Sequence, residues 1–247
     1  MRKTYFSTKK KRFLIFVKII DYLIDKSIVL ICFLLFLFGL YGLYDSYMVY
    51  QSTIDNSLLK YKPGYETNIV SEKEIDGNMV AWLTIDDTKI DYPVMQGKDN
   101  TEYLNKDPYG DYALAGSIFL DSRNHKFEDD YSLIYGHHME QGMMFGALDK
   151  YLDETYFKNH TSGQLTVGKD IYVIHIFAVL ECEATVGAIF APTESEKNVT
   201  LDYIKEHALF LNNNFEKYKS EKIIGMSTCK YPDTVDRTLI FGFLEKK

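Results

Sequence analysis

Two residues near the C-terminus carry side chains that could perform nucleophilic chemistry together. Cys229 follows the apolar, β-prone run Ile223–Met226, and Arg237 precedes a second such run, Thr238–Phe243, with a polar loop containing Pro232 between them. This pattern predicts strand, loop, strand. If the strands are neighbours, the guanidinium lies beside the thiol, where it favours the reactive thiolate or holds a developing oxyanion. Both residues also fit plain structural roles, as a buried thiol and a solvated turn arginine.

A cysteine nucleophile needs a base, and two adjacent histidines fit that role. His137 and His138 come directly after the predicted strand Tyr131–Tyr135, and Gly136 lets the backbone turn sharply there. Adjacent histidines also suggest a metal, but no cysteine or carboxylate stands at ligand spacing near them, so no metal site is predicted. The remaining histidines fit surface or half-buried positions: His125, His160, His175 and His207.

The N-terminus predicts a membrane anchor. Residues 1–12 hold six basic residues and no acid, and the uncharged apolar run Ser27–Tyr44 covers about 27 Å as a helix, close to the thickness of a bilayer core. Tyr41 and Tyr44 fit an interfacial aromatic belt. A cleavable signal peptide is the competing interpretation, but the run is longer than a typical apolar signal region and no small-x-small cleavage site follows it. The positive flank predicts a single-pass protein of the cell membrane, with residues 1–26 cytoplasmic and the rest exported.

Composition limits the remaining classes of function. A formal charge of −7 without a basic stripe in the later part of the chain argues against nucleic acid as a partner. The three cysteines form no CxxC motif, and Cys32 lies in the apolar run, so only Cys182 and Cys229 could pair. An exported protein without an evident disulfide is consistent with a Gram-positive bacterium.

The order of predicted elements indicates a mainly β domain behind a stalk. Residues 45–75 fit a stalk and a first helix, Asp45–Tyr61, which Pro63 ends. Residues 76–247 fit the domain, with helices at Met144–Lys150 and Val199–Tyr218. Many short strands with few helices favour a β-barrel or β-sandwich. The predicted strands are Met79–Ile85, Lys89–Met95, Gly116–Leu120, Tyr131–Tyr135, Gln164–Val167, Ile171–Cys182, Ile223–Ser227 and Thr238–Leu244.

From about Asn78 to the C-terminus, the chain resembles the class B sortases, which are membrane-anchored cysteine transpeptidases of Gram-positive bacteria. The segments that carry the resemblance are Asn78–Leu104, Gly116–Asp121, Leu133–Met139 with Met144–Gly146, and Met226–Tyr231 followed by Arg237. The family usually has Thr-Leu-x-Thr-Cys before and at its cysteine. Here Gly225 and Met226 depart from that pattern, whereas Thr228 and Cys229 keep it.

The resemblance implies a closed eight-stranded sortase-type β-barrel with an N-terminal helical extension and a long helix in the loop before the cysteine strand. It implies that Cys229 is the nucleophile, that His137, which directly follows the glycine, is the catalytic histidine, and that Arg237 is the essential arginine. It also places five residues in a substrate groove: Asn100, Leu104, Tyr135, Ser227 and Thr228. Each of the five also fits a structural role.

The resemblance further implies a reaction and its partners. The thiolate would attack a threonine carbonyl in the C-terminal sorting signal of a secreted surface protein, often an Asn-Pro-x-Thr-Asn-like pentapeptide. The thioacyl intermediate would then pass to an amine of lipid II or peptidoglycan, and no cofactor is needed. Alternatives are a pilin-polymerising sortase, a papain-like hydrolase and a catalytically silent wall-binding module. The sorting motif depends on the loop around Thr185–Asn198, whose shape the sequence does not give.

Overall fold

The computed structural model describes residues 2–53, 56–66, 73–229 and 235–247. The chain forms two units, Met1–Gln51 and Ser52–Lys247. Pro232 and its neighbours 230–234, together with stalk residues 54–55 and 67–72, lie outside the described residues.

The N-terminal unit is helical. Helix α1 runs from Arg2 to Thr53, and its segment Arg12–Val49 is long and apolar enough to cross a membrane, judged by length and composition. The apolar run Ser27–Tyr44 lies within this one continuous helix. The helix predicted over Asp45–Tyr61 is therefore two elements, the end of α1 and a 3-10 helix, Asn56–Tyr61.

The larger unit is a closed β-barrel. The sheet order is β5-β1-β2-β3-β4-β8-β9-β6-β7, and a further pairing between β5 and β6 closes eight of these strands into a barrel. The two-residue β7 pairs with β6 alone in the described part of the chain. The strands are β1 (Met79–Ile85), β2 (Asp91–Met95), β3 (Ile118–Leu120), β4 (Tyr131–Tyr135), β5 (Ser162–Val167), β6 (Asp170–Glu183), β7 (Phe210–Leu211), β8 (Lys222–Cys229) and β9 (Asp236–Lys246).

Alternation along the strands gives the barrel two apolar faces. Successive side chains of a strand point to opposite faces of the sheet. Ile240 of β9 accordingly belongs to the barrel interior, whereas its neighbours Leu239 and Phe241 pack in a second cluster with Leu201 and Ile204. The second cluster explains why the loop after β6 folds back over the outside of the barrel.

That loop contains three helices, and none has the predicted bounds. They are α3 (Gly187–Phe190), α4 (Lys197–His207) and α5 (Asn214–Tyr218), whereas α2 (Glu154–Asn159) lies earlier in the chain. The single helix predicted over Val199–Tyr218 is therefore two helices, α4 and α5, with non-helical residues 208–213 between them. After α4, the backbone N–H of Leu209 donates to the carbonyl of Val179, and β7 pairs with β6. These backbone groups form hydrogen bonds with β6, so the helix does not continue through residues 208–213.

The helix predicted over Met144–Lys150 is a 3-10 helix, Phe145–Leu152.

The start of the second unit is attached to the barrel. Leu58 of the 3-10 helix is buried, and the ammonium of Lys62 lies 2.8 Å from the carboxylate of Asp91. The same carboxylate accepts hydrogen bonds from the side chains of Trp82 and Thr84 at 2.7 and 2.8 Å. The 3-10 helix and Lys62 therefore pack on the domain.

Candidate active site

A groove of about 340 Å³ opens where several barrel strands end. Seven of the eight predicted site residues line it, and the eighth, Cys229, has a side chain that lies outside the described part of the structure. The groove therefore brings together residues that are up to 137 positions apart in the sequence. The lining residues are Asn100, Leu104, Phe119, Tyr135, Gly136, His137, Ala184, Phe190, Ser227, Thr228 and Arg237.

Strand pairing explains why the proposed catalytic residues share this end of the barrel. Strands β4 and β8 run parallel, and Tyr135 pairs with Ser227, so the residues that follow both strands emerge side by side. Strands β8 and β9 are antiparallel, with the backbone of Cys229 opposite that of Arg237. The two strands are therefore neighbours, as the predicted proximity of Cys229 and Arg237 requires, and these two residues lie opposite each other.

The ring of His137 has a fixed orientation. Its Nε2 lies 2.7 Å from the carbonyl oxygen of Leu104. Because a carbonyl oxygen only accepts hydrogen bonds, Nε2 carries the proton, and Nδ1 is the ring nitrogen available for proton exchange. Gly136 makes this turn possible, since a Cβ there would lie 2.8 Å from the ring of Phe145. The backbone N–H of Gly136 also donates to Ser227 and joins the turn to β8.

Arg237 is the second residue of β9 and lines the groove. Its Nη1 donates to the carbonyl of Asp236 at 3.0 Å, and its side chain is partly exposed. A guanidinium at this position can donate further hydrogen bonds to a bound peptide or to an oxyanion.

Two buried hydroxyls in the groove have no hydrogen-bond partner within the described part of the protein. Ser227 and Thr228 are 1% and 2% exposed, and neither hydroxyl oxygen has a partner there. A buried polar group without a partner costs about 1–3 kcal/mol, so such groups in a groove point to a polar ligand.

Asn100 and Tyr135 both form hydrogen bonds with Asp121, a residue to which the sequence analysis gave no role. The carboxylate of Asp121 is fully buried and accepts hydrogen bonds from both side chains, each at 2.9 Å. Burial alone would raise the pKa of Asp121, but hydrogen bonds from Arg123, Tyr135 and Asn100 lower it below its ordinary value. The sequence does contain a signal, namely an acid directly after an apolar strand with an arginine two positions later.

His138 occupies a different place from His137. Its Nε2 lies 2.6 Å from a carboxylate oxygen of Asp149, on the 3-10 helix that follows. In the described ranges, no group of three or more metal-binding side chains is placed to hold an ion. The hydrogen bond to Asp149 joins His138 to the 3-10 helix and so supports the turn after β4.

The hydrogen bond to His137 depends on a glycine. Gly116 has φ +59°, and a Cβ there would lie 2.3 Å from the carbonyl oxygen of Leu104, the acceptor of the His137 proton. We expect Gly116→Ala to lower the free energy of unfolding by about 2 kcal/mol through strain and steric overlap, and to slow turnover by displacing His137. Urea unfolding and steady-state kinetics check the two effects. An unchanged kcat in a destabilised variant would contradict the link to His137.

Cys182 is the second thiol near Arg237. Cys182 and Cys229 pair with Arg237 from opposite sides, so about 10 Å separates their backbones, too far for the disulfide that the sequence left open. Burial raises the pKa of Cys182 to about 11, and Asp236 and Glu183 add to the effect.

The raised pKa of Cys182 predicts an unreactive thiol. Since the thiolate is the nucleophile, iodoacetamide should leave Cys182 unmodified at pH 8 and label it only as the pH approaches about 11. Peptide-level mass spectrometry on the folded protein measures this directly. In 8 M urea the same thiol should react at pH 8, because an unfolded cysteine has a pKa of about 8.5. Equal labelling in both states would contradict the prediction.

Comparison with known proteins agrees with this geometry. A family model described as the sortase domain matches residues 83–245. Sortase B of Listeria monocytogenes is 36% identical over 193 residues, which cover 72% of this chain and 77% of that protein. The chain belongs to the class B sortases. It is therefore a transpeptidase of a family that acts on sorting-signal substrates.

Solved class B sortases share the fold of this sortase. A Streptococcus pyogenes class B sortase involved in pilus biogenesis superimposes with a TM-score of 0.63 at 37% identity, over 69% of this chain and 94% of that one. A Staphylococcus aureus sortase B–substrate complex gives a TM-score of 0.63 at 27% identity, over 70% and 82%. The predicted closed eight-stranded barrel is confirmed.

Proposed function

We propose that this sortase joins secreted surface proteins to the cell wall. Cys229 is the nucleophile, His137 the general acid and base, and Arg237 the group that holds the substrate backbone or the oxyanion. Asn100, Leu104, Tyr135, Ser227 and Thr228 bind the sorting signal. The observation that carries this proposal is one groove at the end of the strand that carries Cys229. His137 and Arg237 line it together with two buried hydroxyls that have no hydrogen-bond partner among the described residues.

The proposed reaction has two acyl transfers. The Cys229 thiolate attacks the threonine carbonyl carbon, and the oxyanion accepts hydrogen bonds from Arg237. The carbon–nitrogen bond breaks as the His137 imidazolium protonates the departing amine, which leaves a thioester. An acceptor amine then attacks the thioester, gives its proton to neutral His137 and expels the thiolate. Nδ1 performs both proton transfers, because the Leu104 carbonyl occupies Nε2–H.

The proposed substrates follow from the family. The donor is a surface protein with an Asn-Pro-x-Thr-Asn-like or related pentapeptide, and the acceptor is an amine of lipid II or peptidoglycan. The donor and acceptor groups of Ser227, Thr228 and Asn100 suit a polar residue of such a motif. Neither a metal nor an organic cofactor takes part in the proposed reaction.

A second function is supported by one relative. The Streptococcus pyogenes class B sortase with 37% identity is involved in pilus biogenesis, so pilin polymerisation is the alternative task. In that case the acceptor amine is a lysine of the next pilin subunit, and the chemistry at Cys229 is unchanged.

We propose that α1 anchors the protein in the cell membrane of a Gram-positive bacterium. Residues 1–26 are the cytoplasmic basic N-terminus, 27–44 the transmembrane segment, 45–75 the stalk and N-terminal helix, and 76–247 the catalytic domain outside. The support is the apolar helix and the basic residues that precede it.

A peptide library tests the proposal. The full-length protein in detergent micelles is incubated with fluorogenic pentapeptides of the form x-Pro-x-Thr-x, with and without three acceptors: triglycine, diaminopimelate and a lysine-containing pilin peptide. Cleavage after threonine and a product that contains the added amine support transpeptidation. The preferred acceptor separates wall anchoring from pilin joining. Absence of cleavage of every peptide, with Cys229 unreactive toward iodoacetamide, would favour the silent wall-binding module.

A further inference from the structure

The short helix α3 contributes Phe190 to the lining of the groove, and we call this helix the wall. Helix α3 has four residues, so its carbonyl groups lack partners within a longer helix. Apart from one bond of the helix itself, from Ala191 N–H to Gly187, the carbonyls accept hydrogen bonds from side chains outside α3. The donors are Ala191 N–H and the Ser195 hydroxyl for Gly187, the Thr200 hydroxyl for Ala188, the Tyr131 hydroxyl for Ile189, and the Arg123 guanidinium for Phe190.

Among these donors, Arg123 binds the carbonyl of Phe190, the residue of α3 that lines the groove. Phe190 lines the groove, and its carbonyl lies 2.5 Å from Nη2 of Arg123, 67 positions earlier in the chain. The Arg123 side chain is 37% exposed, whereas Tyr131 is fully buried in the domain. The contact between Arg123 and Phe190 is thus the exposed attachment of the wall to the barrel.

Through Asp121, the same arginine is also connected to Asn100 and Tyr135, two further residues that line the groove. Nε and Nη2 of Arg123 donate to the two carboxylate oxygens of Asp121 at 2.9 and 2.8 Å. One of these oxygens, Oδ2, also accepts hydrogen bonds from the side chains of Asn100 and Tyr135. One buried carboxylate therefore joins Asn100 and Tyr135 to Arg123, and the planar guanidinium extends this chain of hydrogen bonds to Phe190.

We propose that Arg123, oriented by Asp121, is a positioning residue that sets the distance between Phe190 and the pair Asn100 and Tyr135, and so sets how tightly the groove holds a sorting signal. The inference rests on the proposed function of the groove. Arg123 does not line the groove, so its effect is on binding of the peptide and not on the chemistry at Cys229. A lysine keeps the charge next to Asp121 but cannot donate to both Asp121 and Phe190 from a rigid plane.

Steady-state kinetics of Arg123→Gln and Arg123→Lys, in the full-length protein in detergent, test the inference. We expect KM for the best library peptide to rise about tenfold, as loss of one charge-assisted hydrogen bond predicts, while kcat and KM for triglycine change less than about twofold. The lysine variant guards against a folding failure, because it keeps a cation beside the buried carboxylate. A fall in kcat with an unchanged peptide KM would overturn the inference.

Lys222 offers a matched control. Its ammonium also holds two backbone carbonyls, those of Phe127 at 3.0 Å and Glu128 at 2.5 Å, but it begins β8, at the far end of the strand from Cys229. Lys222→Ala removes a comparable contact and should leave KM for the peptide unchanged. An equal rise of KM in this variant would show a general loss of stability and overturn the specific role of Arg123.

Amide hydrogen exchange gives a readout that does not need turnover. Arg123→Gln should speed exchange in the peptide that contains Gly187–Ala191, and Lys222→Ala should not. Unchanged exchange there would overturn the inference even if KM rises. If the wild-type protein cleaves no peptide, the proposed function fails, yet the exchange experiment still decides whether Arg123 holds the wall.

Discussion

Replacing Cys229 with alanine is expected to lower the rate of peptide cleavage by at least about 10⁴-fold, as removal of a covalent nucleophile does in other enzymes. Binding of an uncleaved peptide should change little, because the groove side chains stay in place. Single-turnover assays with mass-spectrometric detection measure the rate, and fluorescence anisotropy of a labelled peptide measures binding. Intact-mass analysis of the wild-type protein should also show the thioacyl adduct, which the variant lacks.

Cys182→Ala is the matched control for this prediction. Both cysteines lie opposite Arg237 in the sheet, one on each side of β9, so both substitutions remove a thiol at a comparable distance in the fold. The Cys182 variant should keep the full rate, because its raised pKa keeps that thiol protonated at neutral pH. A Cys229→Ala protein that still forms the amide product would disprove the thioacyl mechanism.

The strands of the barrel were predictable because their signal is local. Apolar and β-branched density marked all eight barrel strands. The short connection between β8 and β9 made them candidates for neighbours, and the structure shows that they pair, with Cys229 opposite Arg237. Closure of the barrel did not follow in that way. It requires β5 to pair with β6 and β4 with β8, and the latter joins residues about 90 positions apart, so it came from the family resemblance.

The incorrect or missing predictions concern features that long-range contacts decide, and not local sequence. The pattern of Val199–Tyr218 is helical by spacing, yet the backbone around Leu209 pairs with β6, and a tertiary contact decides against the local preference. The role of Asp121 was missed for the same reason. The spacing of Asp121 and Arg123 marks a local ion pair, but the role of Asp121 lies in its contacts with Asn100 and Tyr135, which are 21 and 14 positions away.

The second large effect is expected at His137. His137→Ala should reduce kcat about 10³-fold, because the departing amine then leaves without a proton donor, and general acid–base catalysis contributes about 10²–10⁴-fold. The KM for the peptide should change little. Added imidazole should restore part of the rate in this variant, since the deleted ring leaves space beside the Leu104 carbonyl. The measurement is kcat against imidazole concentration at constant pH.

His138→Ala is the matched control for His137→Ala. It removes an imidazole from the same turn but should leave proton transfer by His137 intact. His138 is the next residue, and it bonds to Asp149 rather than to Leu104. Its removal breaks a contact with an exposed carboxylate, and surface contacts of this kind typically contribute about 0–1 kcal/mol of stability. The expected change in kcat is therefore less than about threefold, and imidazole should have no effect. If His138→Ala were the slower variant and the one restored by imidazole, the proton transfers would belong to His138. The Leu104 carbonyl would then have only a structural role, which is why the two variants must be measured together.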